Sequence, residues 1–222
     1  MPSLKDIRKR IASVKNTQKI TRAMKLVSAA KLRRAQEAML MLRPYAAKHQ
    51  ELLGSLVAQL GDSAGAHPLL QRREEVKTIG VLAITSDRGL CGGFNASIQK
   101  ALAAVQARAA AEGKALRVYP LGKRMNGYVA KRDFEVPEAL GPVIPATSTE
   151  AIRRITDLVS QAFLAGELDE VIVLSNRFQS AIAQVPTELA LLPVSASGGE
   201  AGEGGDLLYE PDQGTLLGYV VP

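Results

Sequence analysis

A long stretch without a helix breaker is the feature that most limits how this chain can fold. Neither glycine nor proline occurs between residues 3 and 43, and apolar residues recur there at spacings of three and four, beginning with Leu4, Ile7, Ile11 and Val14. This spacing is typical of one face of an α-helix. At about 1.5 Å per residue, roughly forty helical residues form a rod of about 60 Å. Because the apolar stripe is narrow, we predict a coiled-coil helix, one half of an antiparallel pair.

Local signals predict where this helix begins and ends. Ser3 precedes Asp6 by three residues, the spacing of a capped first helical turn. Pro44 is expected to bend or interrupt the rod, because proline lacks the backbone N–H that an interior helix position uses. The helical pattern resumes at Tyr45 and stops before a glycine at position 61. We therefore predict a first domain over residues 1–60.

The middle of the rod is polar where a permanent coiled coil has leucine or isoleucine. The interrupting residues are Asn16, Thr17, Gln18 and Thr21, and small residues cluster at Ala23, Ser28, Ala29, Ala30 and Ala35. Two interpretations remain open. A slender polar surface slides easily past its surroundings, whereas a polar layer inside a coiled coil fixes the register of the two helices.

Charge is distributed unevenly along the chain. Residues 1–34 contain eleven Lys and Arg residues but a single acid, a net charge of +10, whereas the remaining 188 residues carry a net −4. Such a basic arm is suited to an anionic partner, which could be nucleic acid, an anionic lipid or an acidic protein surface. The alternative is that these side chains only keep an ordinary helix face solvated.

From Val76 onward the pattern changes to alternating strands and helices. Residues 76–84 are almost continuously apolar and β-branched, as expected for a strand buried on both faces. Further strands are predicted at 116–121, 170–175 and, as an edge strand containing Pro186, 181–194; helices are predicted at 95–111, 123–131 and 149–163. The predicted fold class is α/β: a three-layer, mostly parallel, Rossmann-like domain over residues 75–195, with the strands that start near Val76, Leu116 and Glu170 side by side.

The end of the sequence predicts two further segments. Residues 196–206 are rich in glycine, which is typical of a flexible loop. Residues 207–222 contain Pro211-Asp212, a helix-start signal, and we interpret them as the beginning of a C-terminal helix. Because one or two helical turns are not stable alone, we expect a longer C-terminal segment that pairs with the N-terminal helix.

The sequence offers little support for catalysis, a cofactor or a metal. Residues 122–127 have the glycine spacing of a P-loop, but Tyr128-Val129 stands where Lys-Ser/Thr would hold phosphate. The two histidines, His49 and His67, have no metal-site spacing, and the single cysteine has no histidine near it in sequence. A charged N-terminus and the lack of a long apolar run indicate neither a signal peptide nor a membrane span, so we expect a cytoplasmic protein without cofactors.

Three stretches together resemble the gamma subunit of F-type ATP synthase, bacterial type. Residues 11–27 (IASVKNTQKITRAMKLV) are similar to its N-terminal helix, residues 85–95 (TSDRGLCGGFN) to its loop after the first strand, and residues 208–212 (LYEPD) to the segment that enters its C-terminal helix. Their order and separations also fit, and the resemblance spans the whole chain. The departure we expect is that most of the C-terminal helix is lacking.

The resemblance implies a non-catalytic rotor subunit. In this family a coiled-coil shaft stands inside the hexamer of alpha and beta subunits, and an α/β foot rests on the c-subunit ring. Proton flow turns the ring, and the shaft transmits torque to the catalytic sites. The implied partners are the alpha and beta subunits, the epsilon subunit and the c ring, without nucleic acid and with membrane contact only through the complex. The implied location is the cytoplasmic face of the bacterial inner membrane, as a peripheral protein.

Matching positions imply which residues make these contacts. The shaft residues expected to face the hexamer are Arg8, Lys9, Lys15, Lys19, Arg22, Met24 and Lys25. The loop residues expected near the lower rim of a beta subunit are Asp87, Arg88 and Cys91. Tyr209 and Glu210 are expected near the c ring.

The competing hypothesis is a nucleic-acid-binding α/β protein with a basic helical arm. Its support is the density of Lys and Arg, since salt-dependent phosphate binding needs little more. The chain has no Trp and only nine other aromatic residues, few of them near the basic ones, so base stacking has little support.

Overall fold

The computed structural model describes residues 3–60, 67–142 and 149–194. The chain divides into two compact units, Met1–Leu52 and the portion from Leu53 onward. Each is described by itself below. The predicted loop at 196–206 and helix start at 207–222 lie outside the described residues, and the predicted domain boundaries stay predictions.

The first unit consists of the long helix α1 up to Leu52; the helix itself runs from Leu4 to Leu60. Its start is capped as predicted: the Ser3 N–H donates to Asp6 Oδ2 at 3.1 Å, and the Asp6 N–H donates to Ser3 Oγ at 3.3 Å. Of the two expectations for Pro44, an interruption does not occur, because α1 continues through it, and a bend stays a prediction. The Leu40 carbonyl loses its usual helical donor there, but this turn is exposed and water can satisfy the oxygen.

The second unit is built on a four-stranded sheet. Its strands are β1 (Thr78–Ile84), β2 (Ala115–Leu121), β3 (Glu170–Phe178) and β4 (Gln184–Leu192). Their spatial order is β2-β1-β3-β4, with β1 parallel to both β2 and β3, and β4 antiparallel to β3. The prediction of a mostly parallel sheet with the first three strands side by side is confirmed. Pro186 lies in the edge strand, where a missing N–H disturbs the ladder least.

Helices cover both faces of this sheet. On one face lie α2 (Phe94–Ala111) and α3 (Lys123–Val129), and Ile98, Leu102 and Met125 pack there with β1 residues. On the other face lies α4 (Thr149–Leu164), whose Val159 and Phe163 are buried against β-strand residues. This is the predicted three-layer arrangement, and it leaves each central strand buried on both faces, as its apolar sequence requires.

Two connections complete the described part of this unit. A short 3-10 helix, Pro68–Leu70, contributes the buried Leu69 to the core on the α4 face. The β3–β4 hairpin extends past the rest of the sheet, since Asn176 pairs with Pro186 and Phe178 with Gln184 after the β1–β3 pairing has ended at Leu174.

Candidate interaction surface

The helix α1 presents a basic stripe. Arg8, Lys15, Lys19 and Arg22 follow one another at spacings of seven, four and three, which places them on one side of a helix with 3.6 residues per turn. All four are exposed. A row of exposed cations on a rigid helix is an electrostatic surface suited to carboxylates or phosphates.

The other three predicted shaft residues lie elsewhere around α1. Lys9 follows Arg8 by one residue and is therefore about 100° away, and Met24 follows Arg22 by two and is about 200° away. Lys25 lies in line with Gln18 and Thr21, beside the basic stripe. Met24 is 61% exposed, so it is an apolar side chain held in solvent in the isolated chain. The structure thus brings four of the seven predicted residues together.

Hydroxyl groups in the polar midsection are satisfied inside the helix. Thr17 Oγ1 donates to the Ser13 carbonyl at 3.1 Å, and Thr21 Oγ1 donates to the Thr17 carbonyl at 3.0 Å. These two hydroxyl donors therefore need no external acceptor.

The second candidate surface is the loop between β1 and α2, which has a hydrogen-bonded interior. Asn95 Oδ1 accepts from the Ser86 N–H at 2.9 Å and from Ser86 Oγ at 3.0 Å. Asn95 Nδ2 in turn donates to the Arg88 carbonyl at 3.1 Å and contacts Cys91 Sγ at 3.0 Å. Asp87, Arg88 and Cys91, the predicted contact residues, are therefore held in one ordered loop.

The same loop is joined to the start of α3. The Lys123 N–H donates to Asp87 Oδ1 at 3.0 Å, and the Arg124 N–H donates to the Ser86 carbonyl at 3.3 Å. The Arg124 guanidinium lies so close to Gly89 that a Cβ added there would be 2.7 Å from one of its nitrogens. Glycine at 89 therefore allows a basic side chain to lie across the loop.

Sequence reasoning missed three residues of this loop. Ser86 and Asn95 form its interior, and Leu90 is fully exposed with a left-handed backbone (φ +60°). The signal that could have identified Leu90 is an apolar residue inside a polar, glycine-rich turn, where burial in a core does not account for it.

The remaining predictions concern a metal site, a membrane span and the contact with the c ring. In the described ranges, no group of three or more His, Cys, Asp or Glu side chains could hold a metal ion. Across those same ranges, no helix is both long and apolar enough to span a membrane. Tyr209 and Glu210 lie outside the described residues, so the predicted c-ring contact stays a prediction.

Comparisons with known proteins agree with this architecture. The sequence model of the ATP synthase family matches residues 3–222. The chain is 41% identical over 226 residues to an ATP synthase gamma chain of Maridesulfovibrio salexigens, and 41% identical over 229 residues to one of Chlorobium phaeobacteroides; each match covers 100% of this chain and 77% of the relative. A solved structure titled as the central stalk and c-ring of Tetrahymena thermophila mitochondrial ATP synthase is similar in fold, with a TM-score of 0.61, 23% identity, and coverage of 91% of this chain and 85% of that one.

A long exposed helix followed in sequence by an open α/β sheet defines the class as an α/β protein with a helical extension. Within that class, the family match over residues 3–222 and the full-length identity to gamma chains decide the family. The chain belongs to the ATP synthase gamma chain family.

Proposed function

We propose that this protein is the rotor subunit of an F-type ATP synthase. It transmits torque from the proton-driven c ring to the catalytic alpha/beta hexamer and thereby couples proton transport to ATP synthesis. The observation that carries the proposal is the 41% identity to gamma chains over the entire chain. The protein itself is non-catalytic, and its mechanical role depends on how its surfaces contact the surrounding subunits.

The exposed helix α1 supports the shaft role. A rotating shaft must be stiff and must not bind any one orientation tightly. A helix that continues through Pro44 supplies length, and threonine hydroxyls satisfied by their own helix limit permanent bonds to the stator. The basic stripe attracts acidic groups electrostatically, and this attraction does not require closely complementary surfaces. Acidic groups on successive beta subunits can therefore interact with the stripe one after another as it rotates.

The proposed partners follow from the two surfaces and the family. The alpha and beta subunits face Arg8, Lys9, Lys15, Lys19, Arg22, Met24 and Lys25, and a beta subunit also meets Asp87, Arg88 and Cys91. The c ring meets Tyr209 and Glu210, and the epsilon subunit is a further partner. The assembled protein is peripheral, on the cytoplasmic face of the bacterial inner membrane, and reaches the membrane only through the complex.

The nucleic-acid alternative has no support from the comparisons. Its one basis is the charge of the arm, and acidic protein groups account for that charge equally well.

Charge reversal on one side of α1 tests the proposal. Replacing Arg8, Lys15 and Lys19 with Glu should weaken binding to a reconstituted alpha/beta hexamer. The loss should be larger at 50 mM than at 500 mM NaCl, because the Debye screening length is about 10 Å at 0.1 M salt and becomes shorter as salt is added. The matched control reverses three exposed cations of the α/β unit, Lys100, Lys131 and Arg153. Equal binding by both triple variants at both salt concentrations would contradict the electrostatic contact, and failure of the unmodified chain to bind the hexamer would contradict the proposed function.

A further inference from the structure

Leu90 combines two properties that are unfavourable in an isolated protein. It is the one non-glycine residue with positive φ in the described part of the chain, at +60°. It is also the most exposed large apolar side chain there, with its whole surface in solvent. A left-handed backbone is costly for leucine because its Cβ approaches the following carbonyl, and glycine, which adopts this conformation freely, occurs two residues later at Gly92 with φ +58°.

The surrounding loop keeps Leu90 in this conformation. Asn95 connects the segments on both sides of Leu90, since it accepts from Ser86 and donates to the Arg88 carbonyl and to Cys91. These bonds close the loop beneath Leu90 and leave the side chain as its outermost apolar group. A strained residue that the surrounding contacts hold in place is a common sign of a preorganised contact, since the conformation is fixed before binding.

Charged groups around Leu90 indicate the chemistry of the surface it meets. Arg88 is two residues before it and exposed, and the Arg124 guanidinium lies against Gly89, the residue that precedes Leu90. Against these two cations the loop itself has one carboxylate, Asp87, which accepts from the Lys123 backbone N–H. The surface around Leu90 is therefore positively charged.

We propose that Leu90 is a preformed apolar anchor that enters an apolar pocket with an acidic rim on a subunit of the hexamer. This inference rests on the proposed function and adds Leu90 to the charged and thiol groups already proposed for the loop contact. Binding buries the leucine side chain, and because the loop is already ordered, no entropy is lost in ordering it. The positive charge around Leu90 orients the protein as it approaches the acidic rim.

Three single substitutions separate the anchor from a structural role. Leu90→Asn keeps a residue that tolerates the left-handed backbone but makes it polar, and Leu90→Met keeps an apolar side chain. The matched control is Ile182→Asn, since Ile182 is 98% exposed in the β3–β4 turn and has no positive φ. The measurements are the dissociation constant of each full-length variant for the reconstituted hexamer, at 50 and 500 mM NaCl, and the melting temperature of each free variant.

For Leu90→Asn we expect binding weakened by about 10- to 100-fold, the equivalent of one buried leucine. The loss should persist at 500 mM NaCl because apolar burial is not screened, and the melting temperature should stay equal or rise because backbone strain is relieved. Leu90→Met and Ile182→Asn should bind within about threefold of the unmodified chain. Equal affinities for Leu90→Asn and Ile182→Asn, or a lowered melting temperature that accounts for the lost binding, would overturn the anchor alone. Failure of the unmodified chain to bind would overturn both the anchor and the proposed function.

Discussion

Thr78 and Asp169 exchange two hydrogen bonds across the start of the sheet. The Thr78 N–H donates to Asp169 Oδ2 at 2.9 Å, and the Asp169 N–H donates to the Thr78 carbonyl at 2.9 Å. The Lys77 N–H donates to the same carboxylate oxygen at 2.8 Å. The Asp169 carboxylate thus accepts from two backbone N–H groups, one just before β1 and one at its first residue. These bonds hold the residue that precedes β3 against the start of β1.

Asp169→Ala should therefore destabilise the α/β unit by about 1–3 kcal/mol, because two backbone N–H groups lose their acceptor. Asp169→Asn retains an oxygen acceptor and should cost less than the alanine variant. Urea denaturation followed by circular dichroism measures both. If the two variants were equally stable, the carboxylate oxygen would not be the group that secures the start of β1.

An ion pair connects the edge strand to a helix. Arg108 of α2 and Glu188 of β4 lie 2.6 Å apart, and hydrogen bonding and attraction to Glu188 raise the pKa of the Arg108 guanidinium. Both side chains are substantially exposed, 52% and 39% respectively, so the pair is weak in water.

The double-mutant cycle of Arg108→Ala and Glu188→Ala should give a coupling energy below about 1 kcal/mol, and 500 mM NaCl should reduce it. The measured quantity is the free energy of urea denaturation for both single variants and the double variant. A coupling energy above 2 kcal/mol that did not respond to salt would contradict the solvent-exposed geometry.

The fold was predictable because its signals are local and mutually consistent. β-Branched runs at 76–84 and 170–175 identify strands buried on both faces, and the Ser3–Asp6 spacing identifies the cap of α1. Pro44 does not interrupt α1, because proline breaks a helix most effectively where the orphaned carbonyl is buried, and here that turn is exposed. Sequence alone does not distinguish these two environments.

The loop between β1 and α2 was only partly predictable. Glycines and charged residues marked it as a turn, but the role of Asn95 depends on hydrogen bonds to residues four, seven and nine positions earlier. The exposure and positive φ of Leu90 are likewise results of loop geometry, which residue types do not specify. On α1, by contrast, helical periodicity alone is enough to place Arg8, Lys15 and Lys19 on one side.

Gly80 allows β1 to pack closely against the chain that leads into β3. A Cβ at position 80 would lie 2.9 Å from Leu168 Cδ1 and 3.4 Å from Val171 Cγ2, both fully buried side chains. Gly80→Ala should destabilise the unit by about 1–3 kcal/mol through overpacking. The matched control is Gly127→Ala in α3, where no atom lies within 4 Å of the added Cβ. This control should be neutral or stabilise by up to about 1 kcal/mol. Thermal unfolding of both variants checks that Gly80→Ala lowers the melting temperature and Gly127→Ala does not.

Ionisation of the buried Tyr119 is expected to lower the free energy of unfolding at alkaline pH. Burial raises the pKa of its phenol above the ordinary 10.0, and the side chain is only 2% exposed. Folded protein therefore holds this proton more tightly than unfolded chain does, so the contribution of Tyr119 is fully present below pH 10 and is lost as pH rises through its folded pKa. Between pH 9 and 11.5, Tyr119→Phe should lose less stability than the unmodified chain, as measured by urea denaturation at each pH. Parallel decreases in the two proteins would show that other groups cause the alkaline loss.

Met24 tests whether α1 must remain weakly binding as it turns. It is an exposed apolar residue near the polar midsection, so Met24→Lys adds a mobile cation without disturbing a core. We expect the variant to assemble normally but to couple proton flow poorly to ATP synthesis, because an exposed ion pair of up to about 1 kcal/mol favours one rotor orientation over the others. The measurement is proton-driven ATP synthesis, relative to ATP hydrolysis, in vesicles that contain the reconstituted complex.

The matched control for this variant is Met41→Lys, since Met41 is also exposed on α1 (78%) and lies farther along the helix. It adds the same charge but no cation at the level of the polar midsection, and its coupling should equal that of the unmodified chain. Raising the salt concentration should restore coupling in Met24→Lys, because screening weakens the new ion pair. Normal coupling in Met24→Lys at low salt, or an equal defect in both variants, would show that the surface around Met24 does not contact the stator during rotation.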